Sequence, residues 1–149
     1  MSKKRIAQQL GDLTFYLLAR CQEKEAWLAE KYGLRQSEFR CLRLLQSDES
    51  LSNTQIAKRM KLSQSRSTRI IDGLIKKGCI KREANKKDRR YMKITLFRRG
   101  KTLTKKLDKD YVDIHSKILR DINISQHKAL ISAMENLYSA TEKWLQRSK

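Results

Sequence analysis

The segment from Cys79 to Leu96, CIKREANKKDRRYMKITL, most constrains the fold of this chain, because the helical spacing of apolar residues stops there. Two short runs, residues 80–83 and 91–96, are typical of β-strands, and the second alternates apolar with polar residues. The loop between the two runs is strongly basic. The segment therefore predicts a β-hairpin with a positively charged tip.

Two short helical patterns come immediately before this hairpin. Ser52 followed by Gln55 is a capping-box pattern that begins the first of them. Ser63 can cap the second, residues 64–77, and Gly78 marks its end. The order helix, helix, basic hairpin predicts a winged helix-turn-helix, an architecture that places its second helix in the major groove of duplex DNA.

The rest of the chain is predicted to be helical. A long first helix over residues 4–32 ends at Gly33, and a short second helix covers residues 39–45. After the hairpin, a long fifth helix runs over residues 97–121, and Ser125 is predicted to cap a sixth. The predicted fold class is therefore mainly α with a small β-wing and about six helices.

The positive charge of the chain is concentrated in one block. The 149 residues carry a net charge of +19, of which the stretch from Lys58 to Lys109 supplies +16, with 20 Lys or Arg residues against four acids. Solubility needs charge of either sign, so a block of one sign implies a polyanionic partner. Nucleic acid is the first candidate for this partner, and an anionic membrane surface is the second.

Composition and motifs argue against several other classes of protein. The N-terminus contains neither a secretory signal nor a membrane span, so we predict a cytoplasmic protein without membrane insertion. Cys21, Cys41 and Cys79 fit neither a disulfide framework nor paired zinc ligands, and His115 and His127 lie in no ligand pattern. The five glycines form no phosphate-binding loop, and no nucleophile elbow is present. We therefore expect no enzyme activity, no cofactor and no bound metal.

The order of elements, and the run LSNTQIAKRMKLSQSRSTRIIDGLIKKGCIKREANKKDRRYMKITLFRRGKTL, resemble the MarR family (multiple antibiotic resistance regulators) of bacterial transcription factors. The resemblance is strongest from Leu51 to Leu103, and its most specific part is the pattern Asp, any residue, Arg at Asp88 and Arg90. It implies one chain, residues 1–149, with a winged helix-turn-helix DNA-binding lobe over residues 34–96. Residues 1–33 and 97–149 would form a helical region that interlocks two protomers in a homodimer.

Three groups of residues are predicted to contact double-stranded DNA. The exposed polar residues of the second helix-turn-helix helix can meet base edges, since Arg donates two hydrogen bonds to guanine and Gln pairs with adenine. Residues near the preceding helix can contact phosphates. For the wing, the resemblance implies that Arg90 enters the minor groove while Asp88 holds it, with basic neighbours on phosphates. The three groups are Gln64, Ser65, Arg66, Thr68 and Arg69 in the helix, Ser52, Asn53, Lys58, Arg59 and Lys61 as phosphate anchors, and Lys86, Lys87, Asp88, Arg89 and Arg90 in the wing.

The functional prediction is a sequence-specific transcriptional repressor that binds a pseudo-palindromic operator as a homodimer and is released by an unidentified effector, for which a small molecule is one candidate. Two alternatives stay open. A non-specific nucleic-acid-packaging protein would suit the large charge. A thiol-based redox sensor would use Cys21, although peroxide-sensing members of the family carry their reactive cysteine where Thr14 stands, seven residues earlier.

Overall fold

A computed structural model describes residues 2–46, 50–88 and 90–149. Within them, the chain forms six α-helices, one 3₁₀ turn and a two-stranded antiparallel sheet, which confirms the predicted fold class. The chain divides into two compact units, residues 1–108 and 109–149. The elements are α1 Lys3–Lys31, α2 Gln36–Leu44, α3 Asn53–Met60, α4 Gln64–Lys76, β1 Ile80–Ala84, β2 Met92–Leu96, α5 Arg98–Leu119, the 3₁₀ turn Ile124–Gln126 and α6 His127–Ser148.

Most of the predicted helix ends are confirmed. The Ser52 hydroxyl accepts a hydrogen bond from the Gln55 backbone, and the Gln55 side chain accepts one from Ser52 N in return. The Ser63 hydroxyl caps α4. Gly33 and Gly78 follow α1 and α4 with φ angles of 70° and 74°, in the left-handed region that glycine enters without steric cost.

The predicted cap of the last helix is wrong. Ser125 lies inside the 3₁₀ turn that precedes α6. Asn123 caps this turn, and the N-cap residue of α6 itself is Gln126, whose side chain makes no capping bond. The Asn123 side-chain oxygen accepts from both the backbone N and the hydroxyl of Ser125. Asparagine and serine are both good cap residues, and the one that begins the turn satisfies its free N–H groups.

The core of the first unit lies between the C-terminal end of α1, the three short helices and one face of the hairpin. Leu51 joins the sheet outside the named strands, because its N and O both bond to Ile94 of β2, at 3.1 and 2.7 Å. This bridge ties the start of α3 to the wing. The largest fully buried side chains in this unit are Leu28, Phe39, Leu42, Leu45, Ile56, Ile71, Leu74, Ile80 and Ile94.

The second unit contains the end of α5 and the whole of α6. The His127 ring N–H at Nε2 donates to the carbonyls of Leu119 and Ile122, at 3.1 and 2.9 Å. The His127 ring thereby joins the start of α6 to the last residue of α5 and to the turn that follows it. The predicted grouping of residues 1–33 with 97–149 stays a prediction.

Large apolar side chains remain exposed along the long helices. On α1 these include Ile6, Leu13, Phe15 and Leu17, and on α6 they include Tyr138. Among the described residues, none of the helices combines the length and apolarity needed to cross a bilayer.

The approach of α5 to the turn before β1 predicts a severe effect of adding one methyl group. A Cβ atom at Gly100 would lie 1.9 Å from the Cys79 carbonyl oxygen, so the backbone would have to move. We expect Gly100→Ala to lower the free energy of unfolding by at least about 2 kcal/mol in urea titrations. Gly11→Ala is the matched control: nothing lies within 4 Å of a Cβ there, and alanine in an exposed helix is worth about 0.5–1 kcal/mol over glycine. Equal stability of the two variants would contradict the close approach.

Candidate nucleic-acid interface

Helix α4 presents a polar face to solvent at its N-terminal half. Gln64, Ser65, Arg66 and Arg69 are exposed, and Thr68 is partly exposed. Sequence reasoning omitted Ser67 from this face, and Ser67 is indeed fully buried. The five predicted base-reading residues thus share one accessible face of the helix, and contact with bases stays a prediction for each.

A polar network joins this face of α4 to the first residue of α3. The Ser67 hydroxyl donates to Asn53 Oδ1 at 2.7 Å, and Asn53 Nδ2 donates to Thr68 Oγ1 at 2.8 Å. The Thr68 hydroxyl in turn donates to the Gln64 carbonyl at 2.8 Å. The two bonds of Asn53 fix the rotation of α4 relative to α3, because they join side chains of the two helices.

The opposite end of α4 is held by a charged side chain. Lys77 Nζ donates to Glu38 Oε1 at 2.6 Å and to the Gly33 carbonyl at 2.9 Å. Glu38 is only 3% exposed and also accepts from Arg35 N at 2.8 Å. A Cβ at Gly73 would lie 2.8 Å from Glu38 Oε2, so glycine gives the carboxylate its space. The sequence does not predict this contact, because Glu38 and Lys77 are far apart in the chain and belong to no recognisable motif.

The predicted phosphate anchors fall into two groups. Lys58, Arg59 and Lys61 are exposed at the end of α3. Lys61 has φ 57° and ψ 47°, the left-handed conformation that turns the chain from α3 into α4. Ser52 and Asn53 lie at the start of α3, and their side chains bond within the protein, to Gln55 and to α4 respectively.

The wing is connected to α4 by an ion pair. Arg82 Nη2 of β1 lies 2.6 Å from Asp72 Oδ1 of α4. Both side chains are partly exposed, at 38% and 52%, so the pair orients the hairpin more than it stabilises the fold. Together with the Leu51–Ile94 bridge, this ion pair connects the wing to the helix-turn-helix at two points.

The wing tip brings together the Asp-x-Arg pair. Asp88 Oδ1 accepts from the backbone N and Nε of Arg90, at 3.1 and 3.2 Å, and Asp88 Oδ2 accepts from Arg90 Nη2 at 3.2 Å. The Arg90 hydrogen bonds hold the pKa of Asp88 below its ordinary value. Lys86 and Lys87 are exposed beside the pair, and the predicted contact Arg89 lies outside the described residues. The carboxylate thus fixes a guanidinium that is itself 85% exposed.

A cavity of about 410 Å³ lies beside the exposed face of α4. Four arginines line it, namely Arg35, Arg40, Arg66 and Arg69, with apolar side chains that include Leu62 and Ile70. Two of the predicted base-reading arginines therefore also form the wall of a space that could hold a small anionic molecule.

The cysteines differ in their surroundings. Burial raises the pKa of Cys41 to about 12 and also raises that of Cys79, so both thiols stay protonated at neutral pH. Cys21 is partly exposed, with its Sγ 3.9 Å from Lys24 Nζ. Among the described residues, no three His, Cys, Asp or Glu side chains come together as a group that could hold a metal ion.

These features define a winged helix-turn-helix protein with the fold of a transcriptional regulator. Residues 34–92 match the model of the MarR family and are a MarR family domain, which confirms the resemblance inferred from the sequence. No curated protein matches the sequence.

Several solved structures share this fold over most of this chain. A MarR family protein from Bacillus stearothermophilus aligns with a TM-score of 0.85 and 15% identity, over 95% of this chain and 99% of that one. The regulator BldR from Sulfolobus solfataricus gives 0.74 and 21%, over 94% and 99%. Wild-type MarR from E. coli gives 0.77 and 16%, over 86% and 95%. At these identities the likeness concerns the fold alone.

The geometry of the wing tip predicts a dependence of the Asp88 pKa on Arg90. We expect carboxyl NMR titration to give Asp88 a pKa below the ordinary value of about 3.9 and Arg90→Gln to raise it toward that value. Because the folded-state pKa is lowered, the Asp88–Arg90 contact is complete at neutral pH and is lost as pH falls through the folded pKa. Lys86→Gln removes an equal charge from the same loop and should leave the low pKa in place. An unchanged pKa in Arg90→Gln would contradict the contact.

Proposed function

We propose that the protein is a transcriptional repressor that binds a specific pseudo-palindromic DNA site as a homodimer. The N-terminal half of α4 would read base edges in the major groove, and Arg90 would enter the adjacent minor groove. Phosphate contacts from the end of α3 would fix the register of the complex without reading sequence. Occupation of an operator would block transcription of the gene beside it.

The observation that carries this proposal is the bond between Asp88 and Arg90 at the tip of a basic hairpin. An acid next to a phosphate backbone is unfavourable unless it orients a cation, and Asp88 makes three hydrogen bonds to Arg90. A narrow minor groove has enhanced negative potential and favours an inserted arginine. The hairpin is tied to α4 through Arg82 and Asp72, so both DNA-contacting elements would approach one duplex together.

A homodimer is supported by the exposed apolar surface of the long helices. Ile6, Leu10, Leu13 and Leu17 recur at helical spacing on α1 with 52, 45, 67 and 53% of their surfaces exposed. A stripe of this kind on a soluble protein marks a contact surface. A second copy of the chain is the proposed partner, since two recognition helices about 34 Å apart would then meet successive turns of DNA.

The dimer proposal predicts twice the chain mass in sedimentation equilibrium. Leu17→Glu should shift the equilibrium toward monomer, because it would bury a carboxylate in an apolar contact. Gln8→Glu adds the same charge at an exposed polar position of α1 and should stay dimeric. A wild-type protein that sediments as a monomer would contradict the dimer, whatever its DNA affinity.

The cavity beside α4 supports an effector that competes with DNA. A small anion paired with Arg66 or Arg69 would occupy groups that the proposal assigns to base edges. Its binding would favour a state with lower DNA affinity, by an amount set by its differential affinity for the two states. A small anion that binds at Arg66 and Arg69 without displacing DNA would contradict this part of the proposal.

Selection of duplexes from a random pool tests specific binding. We expect an enriched site with two related half-sites about one helical turn apart, bound at least about 10³-fold more tightly than bulk DNA. Arg90→Gln should weaken binding to that site by about tenfold. Lys58→Gln should instead reduce the slope of log affinity against log salt by about 0.9.

Arg20→Gln is the matched control for both variants. Arg20 is an exposed arginine on α1 whose partner, Glu23, lies on the same helix, so its loss should change neither affinity nor salt slope. A pool without any preferred sequence, bound with strong salt dependence, would instead identify a non-specific packaging protein.

A further inference from the structure

We propose that Asn53 is a positioning residue that holds Thr68 so that Thr68 presents its methyl group to the base, which favours thymine. The inference rests on the proposed function, since it assigns a specificity to one side chain of the recognition helix α4. It concerns a hydrogen-bond network whose two longest-range bonds join residues 14 and 15 positions apart in the chain.

The orientation of the Asn53 amide follows from its two partners. The Ser67 hydroxyl is fully buried, and it donates to Asn53 Oδ1. The Thr68 hydroxyl has already donated its one hydrogen to the Gln64 carbonyl, so toward Asn53 it can only accept. The amide therefore presents Nδ2 to Thr68 and Oδ1 to Ser67, because the reversed amide would lose the bond to Thr68.

This network decides what Thr68 can offer to DNA. Its hydrogen is committed to Gln64, and one of its two lone pairs is committed to Asn53. The hydroxyl therefore cannot donate to guanine N7 or O6, to adenine N7 or to thymine O4, the acceptors of the major groove. The γ-methyl is the part of the side chain that takes no part in the network, and Thr68 is partly exposed on the face of α4.

Only one of the four bases matches a methyl group. Thymine carries a C5-methyl in the major groove, and contact between it and a threonine methyl is a recognised form of base readout. Burial of about one methylene equivalent corresponds to roughly a fourfold change in affinity. Without the Asn53 bond, both lone pairs of the Thr68 hydroxyl could accept from the amino groups of adenine and cytosine, while its hydrogen would stay on the Gln64 carbonyl. Asn53 thus reduces the hydrogen bonds that Thr68 can make with a base and favours contact through its methyl group.

The experiment replaces each thymine of the selected site, in turn, with deoxyuridine, which lacks only the C5-methyl group. For the wild type we expect one thymine in each half-site whose replacement weakens binding about fourfold. Thr68→Ser keeps the hydroxyl and both of its hydrogen bonds but has no methyl, so it should bind the thymine and uracil sites equally. Thr102→Ser, on α5, is the control: Thr102 also donates to a carbonyl one turn earlier, and its variant should keep the fourfold effect.

A second variant tests the part played by Asn53 itself. Asn53→Ala combined with Ser67→Ala removes the amide without leaving a buried hydroxyl unpaired. We expect the thymine effect to fall below twofold while the salt slope stays that of the wild type. A merely structural role would lower the melting temperature and would leave the thymine effect intact in the folded fraction.

The results separate this inference from the proposed function. A preferred sequence with no thymine methyl effect, or an unchanged effect in Thr68→Ser, would overturn the inference alone. A random pool that yields no preferred sequence would refute the proposed function and the inference together.

Discussion

The position of the exposed polar face of α4 depends on the polar contacts that fix this helix at both of its ends. Near its N-terminus, the buried Ser67 hydroxyl and the amide of Asn53 tie it to α3. Near its C-terminus, Lys77 reaches the buried carboxylate of Glu38. Apolar packing alone would allow small rotations of a 13-residue helix, whereas hydrogen bonds of defined direction do not. In the proposed function, the exposed side chains of α4 would read a base sequence because the helix that carries them has one orientation.

Only part of the large positive charge of the chain is available to a polyanion. Several basic side chains in the block from Lys58 to Lys109 are paired inside the protein, among them Lys77 with Glu38 and Arg82 with Asp72. These pairs orient the helix and the wing, while exposed residues such as Lys58 and Lys86 are available for phosphate. Charge therefore attracts a polyanion, and a few short contacts determine how the protein would face it.

The sequence predicted the elements well and their side-chain connections poorly. Capping patterns at Ser52 and Ser63 are local, since a helix start is decided within four residues, and both are confirmed. The prediction of Ser125 as the cap of the sixth helix is wrong because a 3₁₀ turn, capped by Asn123, comes before α6 and contains Ser125. The bonds of Asn53 to Ser67 and Thr68, and of Glu38 to Lys77, cross from one helix to another, so no periodicity in the chain reveals them. The place of Asn53 at a helix start predicts a phosphate contact, and that contact stays a prediction.

The central claim is that the wing and α4 approach one duplex together, with the wing in the minor groove beside the bases that α4 reads. Site-directed DNA cleavage measures this directly. An iron chelate is attached to the cysteine of a Lys86→Cys variant, at the exposed wing tip. The variant also carries Cys21→Ser, so that the remaining cysteines, Cys41 and Cys79, are both buried. The account predicts two symmetrical patches of minor-groove cleavage, one outside each half-site of the selected sequence. Cleavage spread evenly along the duplex, or confined to the centre of the site, would contradict it.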